Sequence, residues 1–464
     1  MPASIDSLRE KVRGEVITAA DAAYEQARQV YNGMIQRHPL VVVRCRDASD
    51  VMATVAFARE AGVDLSVRGG SHSVPGYGTN DGGVVCDLSP MRAVRVDPAS
   101  RTARAEGGAT WGDFNHATYP FGLATTGGIV STTGIGGLTL GGGIGYLARG
   151  HGLTIDNLIS ADVVTADGRM LMASEADHED LFWALRGGGG NFGVVTSFEY
   201  RLHPVKDVLV GIFFYPLDHA RAVLQFYREF ITTAPEELGA FAGFQIAPPL
   251  PFIAEAQHGK PFSVMVASWA GSLEEGEKAL EPIRRIAPTV AELVTPLPYP
   301  ALNALFDPLL PAGLQHYWKG AFAKELTDGA IEAHLSHGPE VPVVNSTMHI
   351  YSINGACHRI ATEASAFPFR DATFATVIAG MWPDPADNDK HTAWVRDYYR
   401  ALAPHSEAGG YVNFMAADDQ DRVRDNYRHH YDRLAGIKEA YDPGNVFRSN
   451  QNIAPVPAAA SLRS

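Results

Sequence analysis

The sequence predicts an α+β protein, and three observations predict it. Of its 46 glycines, 28 lie between Gly62 and Gly193, so one stretch of the chain is built on bare backbone. After Pro204 glycine thins out and amphipathic segments alternate with apolar runs, the pattern of a sheet covered by helices on one face. Near residue 408 the pattern changes again, to a short extended piece and a closing helix. At 464 residues the chain has room for about two or three domains. With 46 % apolar and 19 % charged residues it buries a large core, which excludes wholesale disorder.

In chain order, residues 1–35 read as a charged amphipathic helical lead-in. A strand over 41–45 follows, then a helix over 48–62 with Val51, Val55 and Ala58 at helical spacing and a glycine stop. Residues 65–67 form a strand that runs straight into Arg68-Gly69-Gly70. Short strands recur at 84–88, 93–96 and 103–106, separated by Gly, Asp-Pro and Ser turns. Strands at 161–165 and 170–173 flank Asp167-Gly168, a hairpin turn because Gly accepts positive φ. A helix over 179–185 and a strand over 193–202 close this part. Beyond Pro204, helices are expected at 218–230, 273–286, 328–337 and 389–402. Strands are expected at 263–269, 317–322, 343–351 and 373–382. An extended piece at 411–414 precedes a helix over 427–441. No internal repeat is present, and only Ala458-Ala459-Ala460 is of low complexity.

Several function classes fall away. A net charge of −14 without any Lys/Arg-rich run excludes a nucleic-acid binder. No segment reaches the roughly 18–20 apolar residues of a membrane span. Residues 1–15 are charged throughout and lack an apolar signal core, so a soluble, cytoplasmic protein is expected. Cys45, Cys86 and Cys357 are far apart and outside any CxxC, which argues against disulfides or a thiolate metal site. There is no HExxH, no GxSxG and no Walker-type loop. Arg428-His429-His430 reads as a solvated face of a charged helix, and no metal is expected.

Three glycine clusters carry the chemistry. In the first, Val67 through Gly78, a strand running into Gly-Gly-Ser can turn successive N–H groups toward an anion such as a pyrophosphate. A surface turn with a solvated histidine is the alternative. In the second, Gly127 through Gly145, glycines alternate with Ile, Val, Leu and Thr, unlike a flexible linker. Buried backbone lying close to a large flat ligand or to another chain segment explains that pattern. Gly143-Ile144-Gly145-Tyr146-Leu147-Ala148 matches GxGxxA, but it opens no helix after a strand, so it is not a Rossmann fingerprint. The third, Gly187 through Gly193, lies between an apolar helix and an apolar strand and lets backbone approach a bound group.

With Gly152-Leu153-Thr154-Ile155-Asp156-Asn157, Tyr411-Val412-Asn413-Phe414 and Asn445-Val446-Phe447, these clusters appear in an order and spacing that resemble one family. It is the berberine-bridge-enzyme-like branch of the vanillyl-alcohol-oxidase / p-cresol-methylhydroxylase (PCMH) flavoproteins. The resemblance spans essentially the whole chain. It implies a PCMH-type two-subdomain FAD-binding domain from residues 1–205 with a returning segment at 408–464. Residues 206–407 form a substrate domain whose antiparallel sheet, backed by helices, roofs the flavin. It also implies that His72 bonds covalently to the flavin 8α-methyl carbon, which raises the flavin's potential and prevents its loss. A neutral imidazole is a nucleophile near neutral pH.

The resemblance implies flavin contacts at Arg68, Gly69, Gly70, Ser71, His72, Ser73, Gly76, Gly128, Val130, Thr133, Gly134 and Gly137. Gly142, Ile144, Gly145, Asn157, Gly193, Val195, Asn413 and Asn450 complete that set. Three departures matter. Bicovalent members carry cysteine where this chain has Val130, so no second, cysteinyl link is expected. Ile144 replaces the tyrosine of the GGGYG motif of many plant members, so that tyrosine's proton-handling role does not transfer. Ile135 stands at the oxygen-gating position, where valine is permissive and leucine obstructive, and leaves oxidase against dehydrogenase open.

The expected reaction moves a hydride from a substrate C–H to flavin N5 while a side chain takes the O–H or N–H proton. Oxygen is the expected acceptor, and the substrate a small alcohol, saccharide, phenol or amine. Residues i and i+2 on a strand share a face, which nominates Tyr317 with Lys319, His349 with Tyr351, and Tyr411 with Asn413. A lysine beside Tyr317 is expected to lower its phenol pKa from about 10. An oxidative cyclase of secondary metabolism and a non-catalytic flavin carrier are the alternative readings.

Overall fold

The structure, a computed structural model, describes residues 4–456; Ala458-Ala459-Ala460 and the end of the closing segment lie outside them. Three large sheets organise the described residues, beside a two-stranded pair of Leu123–Ala124 with His203–Pro204. The first has four strands in the order Glu15–Ile17, Val41–Arg44, Val84–Asp87, Leu65–Arg68. Val41–Arg44 and Leu65–Arg68 both run parallel to Val84–Asp87, so their Val-rich residues are buried. The helix Ala48–Ala61 connects two of them. Its N-cap Asp47 accepts from the backbone N–H groups of Ser49 and Asp50, and Gly62 ends it at φ 67°. Cys45 and Cys86 are buried thiols in this layer, with sulfurs 3.7 Å apart.

The second sheet is antiparallel and runs Val94–Asp97, Thr102–Glu106, Val194–Arg201, Leu158–Val164, Met170–Ser174. The expected Asp167-Gly168 hairpin joins its last two strands, with Gly168 at φ 84°. Val423, Tyr427, Leu434 and Ile437 from the end of the chain pack into the core of this sheet. Lys438, wholly buried, ties them down by donating to the Asn191 and Phe447 carbonyls (2.7 and 2.8 Å) and to Asp442 (2.6 Å).

The third sheet has seven antiparallel strands: Ala291–Pro298, Asp207–Tyr215, Pro261–Trp269, Leu238–Ile246, Thr347–Ser352, Phe374–Trp382, Gln315–Ala323. Helices Ala220–Thr233, Leu273–Arg284, Asp328–His337 and Asn388–Leu402 contribute Val223, Tyr227, Leu280, Ile331 and Val395 to the core on one face. The other face, carrying Phe241, Tyr351, Val377 and Met381, looks toward the glycine clusters. Period two decides which side chains go where. Met348 and Ile350 join the helix-side core, and Thr347, His349 and Tyr351 face the other way.

Some expectations are corrected. Residues 4–35 hold two short helices, Ile5–Lys11 and Tyr24–Arg28, around the strand Glu15–Ile17 rather than one helical lead-in. Strands Asp207–Tyr215, Leu238–Ile246 and Ala291–Pro298 were not anticipated. Val412–Phe414 is a 3₁₀ turn, not a strand. The closing helix is split into Val423–Tyr427 and Tyr431–Tyr441 by the turn Arg428–His430. His430 in that turn is buried rather than solvated, and exposed His429 meets Glu363 at 3.0 Å.

Candidate functional site

The inner face of the seven-stranded sheet and the three glycine clusters enclose a cavity of about 360 Å³. Its floor begins where Leu65–Arg68 ends. Arg68 is locked by Asp87 at 2.8 Å, both side chains buried, and the chain then turns through Gly69, Gly70 and Ser71, the last at φ 55°. A Cβ on Gly70 would fall 2.3 Å from the Gly134 nitrogen, so the first two clusters lie backbone against backbone. A Cβ on Gly137 or Gly190 would meet nothing within 4 Å. Both line the cavity, and glycine there keeps it open.

His72 stands on this floor. The Tyr31 ring stacks on its imidazole at 3.8 Å and 21°, and its Nε2 is 3.0 Å from the Thr132 hydroxyl. Burial pushes its pKa down to about 4, so the ring is neutral near pH 7. The Thr132 bond occupies Nε2, and among the described residues none hydrogen-bonds Nδ1. Tyr31 and Thr132 were missed by sequence reasoning. Thr132 sits inside the second glycine cluster and was legible there, whereas nothing local marks Tyr31.

Tyr411 reaches the cavity from the 3₁₀ turn. Its phenol oxygen accepts from the Gly143 N–H at 2.8 Å and from the Asn413 amide at 2.9 Å. Asn413 is fixed in turn by donating to the Leu138 carbonyl at 3.1 Å. Burial raises the Tyr411 pKa to about 12, and the two donors pull against it. Opposite, on Thr347–Ser352, His349 Nδ1 lies 2.9 Å from the Tyr351 hydroxyl and Nε2 2.7 Å from the Thr347 hydroxyl. Burial pushes the His349 pKa down to about 3 and the Tyr351 phenol pKa up. Phe306, Trp318 and Phe414, not anticipated as a group, supply aromatic walls.

Of the expected flavin-contacting residues, Arg68, Gly69, Gly70, Ser71, His72, Ser73, Gly128, Val130, Thr133, Gly134 and Gly137 line the cavity, with Ile144, Gly193, Val195, Asn413 and Asn450. Four do not. Gly76 (φ 73°) makes a turn against Ile35, and Gly142 (φ 128°) lies under the Phe367 ring. Gly145 is pressed on the Gly127 carbonyl, where a Cβ would fall 1.6 Å away. Asn157 donates to the His151 and Leu153 carbonyls at 2.9 and 3.0 Å and partners His203. Ile135 is fully buried outside the lining.

Tyr317 and Lys319 are corrected more strongly. Both sit on the helix-backed face of Gln315–Ala323, and Trp318 between them faces the cavity. Tyr317 donates to Asp418 at 2.7 Å, and Lys319 donates to Asp418 and Asp419 at 2.9 and 2.7 Å. Burial and Asp418 raise the Tyr317 pKa and outweigh the lysine's opposite pull. Neither side chain lines the cavity. Lys319→Met takes from the buried Asp419 carboxylate its 2.7 Å partner and leaves it Arg422 at 3.5 Å, and is expected to cost at most about 3 kcal/mol of stability. Thermal or urea unfolding measures it; a loss of turnover with unchanged stability would return Lys319 to the chemistry.

The family model described as FAD binding domain matches residues 39–174, and the one described as berberine and berberine like matches residues 410–454. An FAD-linked oxidoreductase of Dictyostelium discoideum is 32 % identical over 97 % of each chain. The chain belongs to the berberine-like FAD-linked oxidoreductases. A further relative, (R)-6-hydroxynicotine oxidase of Paenarthrobacter nicotinovorans, is 30 % identical over 96 % of this chain and 97 % of that one. The crystal structure of 6-hydroxy-D-nicotine oxidase from Arthrobacter nicotinovorans matches with a TM-score of 0.84 at 26 % identity, covering 96 % of this chain and 98 % of that one.

This berberine-like oxidoreductase is therefore an enzyme of PCMH-type α+β fold. Its cavity fits FAD on two observations of its own. Gly137 and Gly190 present bare backbone to open space. The Gln451 amide and Asn450 Oδ1 line the same cavity buried and without a protein partner. Among the described residues no helix is long and apolar enough to cross a membrane.

Proposed function

We propose that the protein is an oxidase holding FAD through a single covalent bond to His72 Nδ1, and that it oxidises a C–H of a small organic substrate with oxygen as acceptor. The observation that carries this reading is the pairing across one cavity of a neutral, half-buried imidazole whose Nε2 is engaged by Thr132 and a phenol whose oxygen accepts two N–H groups. When bound, FAD supplies a hydride acceptor at N5 and passes the electrons to oxygen. The residues do the rest. Residues 1–205 and 408–464 hold the cofactor, with glycine backbone and the Asn450–Gln451 amides against it, and residues 206–407 roof it. Val130 offers no thiol for a second link. Tyr411 takes the proton of the reacting O–H or N–H, and Asn413 and Gly143 hold its oxygen in place. The aromatic and aliphatic roof excludes water.

Anaerobic mixing of the yellow protein with a panel of alcohols, phenols, saccharides and amines tests this reading. Bleaching of the flavin band by at least one class is expected, with colour and oxygen uptake returning on aeration. A flavin that no class reduces overturns it.

A further inference from the structure

The roof has a chemical character that narrows the substrate. Among the described residues lining the cavity, Arg68 alone carries a permanent charge, and Asp87 neutralises it at 2.8 Å beneath the floor. Among the described residues no Asp, Glu or Lys lines the cavity, so neither a carboxylate nor an ammonium group finds a counter-charge there. His349 does not supply one, since burial keeps it neutral. Ring-sized apolar surface is plentiful, from Phe306, Trp318, Phe414, Leu309 and Met381.

The polar chain on the roof has a direction. The Thr347 hydroxyl donates its one proton to the Phe244 carbonyl at 3.2 Å. With that proton committed, we assign the neutral His349 the tautomer whose Nε2–H donates to the Thr347 oxygen at 2.7 Å, which leaves Nδ1 bare. Nδ1 accepts the Tyr351 O–H at 2.9 Å. With its proton committed, Tyr351 turns only lone pairs to the cavity. Phe414 lies between the two tyrosines, its ring centroid 4.8 Å from that of Tyr411 and 6.2 Å from that of Tyr351.

We propose that Tyr351, oriented by His349 and Thr347, is a hydrogen-bond-accepting subsite separate from the proton acceptor Tyr411, and that the substrate is an uncharged ring compound whose hydroxyl docks there. The subsite fixes the ring by its hydroxyl end and leaves the reacting carbon to the Tyr411 side. This rests on the flavin-oxidase reading only for what happens at Tyr411; the subsite itself is a property of the protein's side chains. Saccharides, with hydroxyls all round the ring, and charged amines or acids are poor fits to it.

Binding to the holoprotein tests it, with phenol, anisole, benzoate and benzylammonium as probes and dissociation constants from calorimetry. Phenol is expected to bind about three- to tenfold more tightly than anisole, the worth of one neutral hydrogen bond. Benzoate and benzylammonium are expected to bind more than about tenfold more weakly than phenol, because each buries an unpaired charge. Tyr351→Phe should bring phenol down to anisole and leave anisole unchanged. Thr347→Val, which removes the acceptor fixing the His349 ring, should erase part of the same preference. Benzoate or benzylammonium binding as tightly as phenol overturns the proposal. So does no measurable binding of phenol, or an equal loss of phenol and anisole in Tyr351→Phe. The flavin reading fails separately, by a preparation without a visible flavin band or one that no substrate bleaches, and the probe ratios remain readable in either case.

Discussion

His72→Ala is expected to turn a yellow acid precipitate into a colourless one, with all of the flavin left in the supernatant. The wild-type protein should keep its flavin in the pellet. Loss of covalent attachment should be all or none, because the imidazole proposed to form the link is removed. Flavin binding itself should survive, since the Arg68–Asp87 lock, the Gly70–Gly134 contact and the Gly137 and Gly190 openings are untouched. The Tyr31 stack on the imidazole is lost as well, at a cost of about 1 kcal/mol. Thr132→Val should behave differently. It frees Nε2 without removing Nδ1, so attachment persists but forms more slowly, as absorbance of the acid pellet against time after flavin addition records. A His72→Ala pellet that stays yellow would place the link on another residue.

What could be read in advance, and what could not, follows from the kind of information each residue carries. The glycine clusters were legible because a close backbone approach demands the absence of a side chain, as at Gly70 against Gly134. The His349–Tyr351 pair was legible because Thr347–Ser352 is a strand and alternation puts i and i+2 on one face. The same rule misled at Tyr317 and Lys319. Alternation says which residues travel together, not which face looks at the cavity, and both faces of Gln315–Ala323 are covered. Tyr411 and Asn413 met for a different reason than expected, since a 3₁₀ turn rather than a strand brings the amide to the phenol. The strand Leu238–Ile246 was hidden by its small residues, Gly239, Ala240, Ala242 and Gly243, which make room for neighbouring backbone but show little β preference. Tyr31 reaches His72 across 41 residues of chain, and no local pattern announces such a contact.

Tyr411→Phe is expected to lower kcat/KM by about 10²–10⁴, the usual worth of a positioned proton acceptor, with flavin content unchanged. The ring keeps its packing against Phe322, Phe367 and Phe414, so stability should move little. The pH profile separates chemistry from packing. Burial raises the Tyr411 pKa to about 12, so the phenol is protonated through the neutral range. Its accepting form therefore grows about tenfold with each pH unit, and log kcat/KM in the wild type should climb with pH without levelling below about pH 11. The phenylalanine variant should be flat over the same range. Asn413→Leu removes one of the two donors that pull the phenol's pKa down, so its profile should move to higher pH. A wild-type profile that levels near pH 7 would give the proton to a group other than Tyr411. A profile of the same shape in Tyr411→Phe would do the same, and neither result would disturb the assignment of His72.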